Sequence, residues 1–279
     1  MGSPGREEEP MNAVVKDFED KHRALWALGD YAAIATDVVS PLGPVLVTAC
    51  GIRRQDRVLD VAAGTGNAAI PAAATGAHVV ASDLCPQLLQ QGRTKAAEQG
   101  VVLDWHEANA ETLPFDDDEF DVVMSCIGVM FAPHHQSAAD ELIRVCRPGG
   151  RIGVISWTPE GFIGQLFAAM KPYVPPPPVG ASAPPLWGSE PYVRALLGEA
   201  VGDVATERRV LTVSVFGDGV ALREYFKANY GPTIAAYRGI AEDPDRVAAL
   251  DADIAALADR ALRRGSMDWE YLLLTARRC

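Results

Sequence analysis

The chain is short of positive charge, of cysteine and of any unbroken apolar run. Of its 279 residues, 25 are Lys or Arg against 37 Asp or Glu, a formal net charge of -12 at pH 7. So acidic a chain has no broad electrostatic grip on phosphate backbones or anionic lipid, so neither nucleic acid nor a membrane is expected as a partner. The five cysteines, Cys50, Cys85, Cys126, Cys146 and Cys279, are odd in number, widely spaced and set mostly in apolar segments. They fit neither a disulfide framework nor a zinc cluster and read as buried structural thiols, and no metal is expected. The longest uncharged stretch, 61–82, is interrupted by Gly64, Gly66, Asn67, Pro71, Gly76 and His78, and so reads as turn, helix, turn and strand rather than as a span. The start carries Glu7, Glu8 and Glu9 where a secretory signal is basic and then apolar, which makes the cytoplasm the expected location.

What is present is ample material for a core, with 48% apolar and 22% charged residues. Residues 1–10 read as a polar, mobile tail. Residues 11–50 read as a helical cap: Val15, Phe18, Leu25 and Trp26 recur at helical spacing, and a second helical segment over 31–39 ends before Pro41 and Pro44. From 51 to 158 short apolar runs at 58–61, 79–82, 121–126 and 151–157 are separated by helical stretches at 70–74, 87–99 and 137–147. Apolar runs without polar alternation imply a parallel sheet covered on both faces, so the fold class is α/β, doubly wound and Rossmann-like. Residues 159–203 hold Pro175, Pro176, Pro177, Pro178, Pro184 and Pro185, an insertion that reads either as a lid or as a stiff surface or partner-binding loop. Two more strands, 210–216 and 269–276, with helices over 221–264, complete the sheet within 204–279.

Chemistry concentrates where the first strand ends, in Val58-Leu59-Asp60-Val61-Ala62-Ala63-Gly64-Thr65-Gly66. Gly64 and Gly66 let backbone approach a ligand, and amides at a helix start favour a carboxylate or other anion. Asp60, at the end of the strand, would repel a pyrophosphate and suits a ligand with an amino group, which disfavours an NAD-dependent oxidoreductase. Asp83 follows the second strand, where a carboxylate can accept both hydroxyl protons of a ribose.

These segments, in this order, resemble the class I S-adenosylmethionine-dependent methyltransferases, particularly the small-molecule type 11 or UbiE-like group. Residues 58–66 are similar to that family's first motif, and Asp83 to its ribose-binding acid. Asn109-Ala110-Glu111-Thr112-Leu113-Pro114-Phe115 resembles the adenine loop, and Arg147-Pro148-Gly149-Gly150 the turn before the fifth strand. The resemblance implies S-adenosylmethionine as cofactor, with Gly64 and Gly66 along its methionine part and Asp60 holding the amino group through backbone or water. Leu84 would pack on the adenine, Asn109 and Ala110 would meet its edge, Tyr31 would reach the methionine end, and Ser125 with Cys126 would border the transfer site. Two departures stand out: Ala62 replaces the first glycine, which is expected where the turn needs no positive φ, and Asn109 replaces the commoner aspartate while keeping an acceptor.

The implied activity is methyl transfer to a small hydrophobic or aromatic molecule of secondary metabolism, first to oxygen, with nitrogen or carbon of a natural product as alternatives. His135, or its neighbour His134, is the expected general base, since both follow the fourth strand. Trp157 and Trp187 are expected to line the acceptor pocket. A cofactor-retaining cyclase of the same fold is the near rival, a noncatalytic module acting through the prolines a distant one, and a homo-oligomer is compatible with each.

Overall fold

The computed structural model of the chain describes residues 19–279, so the expected tail at 1–10 and the helical positions Val15 and Phe18 lie outside the described residues. Helix α1 occupies 19–26. Helix α2, Tyr31–Asp37, starts where the Asp30 carboxylate accepts the Ala33 N–H at 3.1 Å. A third helix, α3, Leu42–Cys50, follows directly. Pro41 and Pro44 do not stop it, because both fall at its start, where an amide has no intrahelical partner to lose.

The core then alternates: β1 Arg57–Val61, α4 Ala69–Ala74, β2 His78–Asp83, α5 Pro86–Glu98, β3 Asp104–Glu107, β4 Phe120–Cys126, α6 His135–Val145 and β5 Cys146–Trp157. The insertion contributes α7 Phe162–Met170 and α8 Glu190–Leu197, and the C-terminal part β6 Val201–Val213, α9 Gly219–Asn229, α10 Gly231–Gly239, α11 Pro244–Ala261 and β7 Met267–Arg278. Among the described residues the seven strands form one sheet in the order β3-β2-β1-β4-β5-β7-β6. Strands β1 to β5 are parallel, while β7 runs antiparallel between β5 and β6.

The central strands are buried along nearly their whole length, with Leu59, Val123 and Ile152 inaccessible to solvent. Each such side chain contributes about 1.5–3 kcal/mol of burial. The edges are different: β3 is mostly exposed, and β6 is exposed at most positions between Gly202 and Val210. The sixth strand therefore begins at Val201, nine residues before the run expected from its apolar end, and the boundary at 203/204 cuts it. The strand order reverses between β1 and β4, and ligands of doubly wound sheets bind outside the carboxyl ends of the strands at that point. Four cysteines are buried or half-buried as expected, and Cys279 is exposed.

Candidate active site

The carboxyl ends of β1 and β4 are held in unusual backbone conformations. Gly64 and Gly66 have φ of 56° and 82°, and Ala62 itself sits at φ 53°. The expectation that an alanine stands here because no positive φ is needed is thus corrected: the turn does need it, and Ala62 bears the strain. Ile127, just after β4, is at φ 63°, rarer still for a β-branched residue. Gly128 explains how the two turns fit, since a Cβ there would stand 2.1 Å from the Ala62 carbonyl oxygen. Ser125 ties them, its hydroxyl donating to the Val61 carbonyl (2.7 Å) and accepting the Val129 N–H (2.9 Å).

Two carboxyls lie behind this turn. Asp83 is 8% exposed; one oxygen accepts the Gly64 N–H and the other the Cys85 N–H, both at 2.8 Å. Burial pushes its pKa up to about 6, and the two amides pull the other way. Each oxygen keeps a lone pair for a ligand. Asp60 is 1% exposed and neither of its oxygens has a hydrogen-bond partner among the described residues. Burial pushes it up to about 8; the nearby Ala69 amide offsets part of this, and the Asp83 charge adds to it.

In front of the turn lies a cleft of about 620 Å³ counted to its open mouth. Of the residues expected to hold a cofactor, Tyr31, Ala62, Gly64, Asp83, Leu84, Asn109 and Ala110 line it. The other three, Asp60, Gly66 and Ser125, stand beneath the surface as supports. Gly66 is there for packing as well as for its φ, because a Cβ would meet the Trp105 ring at 2.7 Å. Tyr31 lies over the Gly64 turn, 3.5 Å from where a Cβ would be. The Asn109 carboxamide donates to Glu19 (2.6 Å) and accepts the Glu111 N–H (2.9 Å), leaving its oxygen one lone pair. Helix α1 closes one side: Arg23 bonds the Leu84 carbonyl (3.1 Å) and pairs with Glu107 (2.7 Å), and His22 and Trp26 face the cleft.

A small recess, a chamber with about 20 Å³ of free interior space, adjoins the cleft and shares Tyr31, Ile127 and Phe131 with it. Its far walls are aliphatic and aromatic: Ile34, Val39, Ile163, Phe226, Tyr230 and Trp269, with Trp157. Sequence reasoning found Trp157 but missed Ile127, Gly128 and the aromatic pair Phe226 and Tyr230. The signal for the pair was its i,i+4 spacing across the end of α9.

The remaining expectations are corrected by packing. Trp187 is 1% exposed and packs edge-on to His135 at 5.8 Å, away from both cleft and chamber. His135 is 1% exposed with both ring nitrogens in use. Its Nε2–H donates to the Met130 carbonyl (3.2 Å), so Nδ1 accepts the Tyr192 hydroxyl (3.0 Å). Burial lowers its pKa to about 4. A neutral, saturated imidazole that lines neither space cannot take a proton from an acceptor there. His134 is exposed and bound to Glu111 through its backbone N–H (2.6 Å) and Nδ1 (2.9 Å), beside the cleft mouth but outside its lining. The proline-rich stretch is tied to the same corner by the Ser182 N–H on the Pro133 carbonyl (2.9 Å) and lines neither space.

The comparisons agree with this geometry. Residues 58–150 match a family model described as a methyltransferase domain. The uncharacterized protein Rv1403c of Mycobacterium tuberculosis is 57% identical over 92% of this chain and 94% of its own. A demethylmenaquinone methyltransferase of Clavibacter sepedonicus is 43% identical over 37% of this chain and 42% of its own. Among solved structures, the YcgJ protein of Bacillus subtilis superposes with a TM-score of 0.57 at 18% identity, over 85% of this chain and 97% of that one, a likeness of fold.

Proposed function

Because the chain belongs to the class I S-adenosylmethionine-dependent methyltransferases, in the UbiE-like group, we propose that it methylates the oxygen of a small hydrophobic or aromatic acceptor. S-adenosylmethionine is the cofactor and supplies, when bound, an electrophilic methyl group on a sulfonium. The chain's groups fit it. Asp83 has two lone pairs facing the cleft for a ribose diol, and the buried, unpartnered Asp60 carboxyl lies behind the turn that the methionine end would follow. Tyr31 would cover that end, while Asn109, Ala110 and Leu84 would meet the base.

One observation carries the choice of acceptor: the space next to the cofactor cleft is walled by rings and aliphatic chains. Demethylmenaquinone, named as the acceptor of a partial relative, is a hydrophobic ring compound too. With a net charge of -12, the chain is suited to a small molecule rather than to nucleic acid. Among the described residues no single helix is long and apolar enough to cross a membrane, and we place the enzyme in the cytoplasm. Its catalytic task is to hold the acceptor atom in line behind the methyl carbon.

The test is calorimetric titration with S-adenosylhomocysteine, with NAD as control, followed by a screen of phenolic and heterocyclic acceptors by product mass. Saturable binding of the former alone and a gain of one CH2 located on oxygen are expected. No binding would overturn the cofactor assignment for this site. A product of unchanged mass would replace the transfer by a cyclisation, and a methyl found on nitrogen or carbon would replace the acceptor atom.

A further inference from the structure

We propose that the proline-rich segment is a strap that fixes the wall shared by cleft and chamber, and that His135 is the positioning residue through which it acts; this rests on the methyltransferase function above in taking the cleft as the S-adenosylmethionine site. The wall is Phe131, which lines both spaces and meets the Trp26 ring edge-on at 4.7 Å and the Phe167 ring at 6.0 Å. It ends a single tight turn, Val129–Phe131, and the cleft-lining Ala132 and Pro133 follow directly. The inner end of that turn is tied to β4 by the Ser125 hydroxyl, which accepts the Val129 N–H. A turn of three residues leaves its later carbonyls without partners of its own, so its outer end is held from outside.

Both outside bonds come from, or through, residues 182–192. The Ser182 N–H donates to the Pro133 carbonyl at 2.9 Å. The Met130 carbonyl accepts from His135 Nε2–H (3.2 Å), and His135 Nδ1 accepts from the Tyr192 hydroxyl (3.0 Å). Since that hydroxyl has one proton and gives it to the imidazole, the Ser182 hydroxyl, 3.3 Å away, donates to its oxygen. The protons of the relay therefore all point one way, from Ser182 through Tyr192 and His135 to Met130. Trp187 and Tyr192 stand edge-on to the imidazole at 5.8 and 5.7 Å, which leaves the buried ring no room to turn out of the relay. Ahead of Ser182, the four consecutive prolines at 175–178 lock φ and keep the chain stiff, which suits a strap rather than a hinged lid. Among the described residues none from 174 to 192 lines cleft or chamber, so the strap reaches a ligand only through the 129–133 segment.

Amide hydrogen exchange and S-adenosylhomocysteine affinity, both measured on the full chain, separate this from a general packing role. The amides to follow are those of Phe131 and Ala132, which bond the Gly128 and Val129 carbonyls within the turn. In Tyr192→Phe, which keeps the ring, their exchange is expected to quicken about tenfold while β1 and β4 keep their wild-type rates, and affinity for S-adenosylhomocysteine should fall about three- to tenfold. Ser182→Ala should act in the same direction by about twofold and add nothing in the Tyr192→Phe background, because both hydroxyls serve one relay. Replacing Pro175, Pro176, Pro177 and Pro178 together by glycine should quicken the same two amides with every hydrogen-bonding group retained. Wild-type exchange at Phe131 and Ala132 in Tyr192→Phe or in the glycine variant, quickening spread equally through β1 and β4, additive effects of the two hydroxyl substitutions, or unchanged affinity would overturn the proposal and leave the methyltransferase function standing. A wild-type chain that does not bind S-adenosylhomocysteine overturns that function instead, and exchange, which needs no ligand, still decides whether the strap holds the turn.

Discussion

The cleft and the chamber sit side by side at one switch point of the sheet and are built by opposite means. The cleft takes its character from backbone turns and two buried carboxyls supplied by β1, β2 and the loop at Asn109, all within about fifty residues of chain. The chamber takes its character from rings and aliphatic chains drawn from α2, α7, α9, β5 and β7, with no carboxylate among the described residues of its lining. Such different walls suit a polar, hydrogen-bonding cofactor on one side and, as we propose, an apolar acceptor on the other, each drawn from a different part of the chain. Between them stand Ala62 and Ile127, both at positive φ, and Gly128, which packs against the Ala62 carbonyl.

That junction is where the contrast can be broken most completely. Gly128→Ala places a methyl group 2.1 Å from the Ala62 carbonyl oxygen and 2.7 Å from its Cβ, with both neighbours already at positive φ or beside it. We expect a loss of about 3 kcal/mol in urea unfolding, the upper end of overpacking costs, together with loss of S-adenosylhomocysteine binding. Wild-type stability and affinity in this variant would show that the two turns are not coupled. Next in size is Asp83→Ala, which acts on the cleft alone. Affinity for S-adenosylhomocysteine should fall 10- to 100-fold, about 1.4–2.8 kcal/mol, with calorimetry as the measurement. Because Asp83 is pushed up to about 6, the wild-type affinity should itself weaken as pH falls through that value; a flat profile between about pH 5 and 8 would remove the carboxylate from ribose binding.

The two halves also differed in how far they could be read in advance. The central strands were legible because burial on both faces leaves an unbroken apolar run, as in Val58-Leu59 and Val122-Val123-Met124. Strand β3, Asp104–Glu107, was not, because an exposed edge of four residues carries no such run, and the charged stretch Glu207-Arg208-Arg209 hid the body of β6 for the same reason. The cleft lay in consecutive motifs, so its glycines and Asp83 stood out. The chamber was hidden because Val39, Ile163, Phe226 and Trp269 meet only in three dimensions. His135 misled for a related reason: a histidine at a helix start resembles a base until Tyr192 and Met130, remote in chain or concealed in a turn, are seen to occupy both of its nitrogens.

A smaller effect separates stability from binding within the cleft. Asp60 is raised from 3.8 to about 8, so the folded chain holds that proton more tightly than the unfolded chain does. Its contribution to stability is fully present below about pH 4 and is lost as pH rises through about 8. Asp60→Asn removes the titration and should raise stability by about 1–2 kcal/mol at alkaline pH, since a charge no longer has to be buried without a partner. The same change should weaken S-adenosylhomocysteine binding several-fold. Parallel stability profiles for the two proteins across pH would refute the burial account.

The smallest expected effect is at Ala62, and it tests whether strain at the junction serves the site. An L-residue at φ 53° is disfavoured, and glycine is not, so Ala62→Gly should stabilise the fold by about 0.5–1 kcal/mol once the greater freedom of glycine in the unfolded chain is set against the relief. The Ala62 methyl also stiffens the turn against the cofactor, so affinity for S-adenosylhomocysteine should drop by about two- to threefold as the turn gains conformations it must lose on binding. Opposite signs for stability and affinity are what strain held at a functional position produces. A fall in both would mean that the turn is relaxed at Ala62 and that the methyl group is there for packing, which would move the strained boundary between cleft and chamber to Ile127 alone.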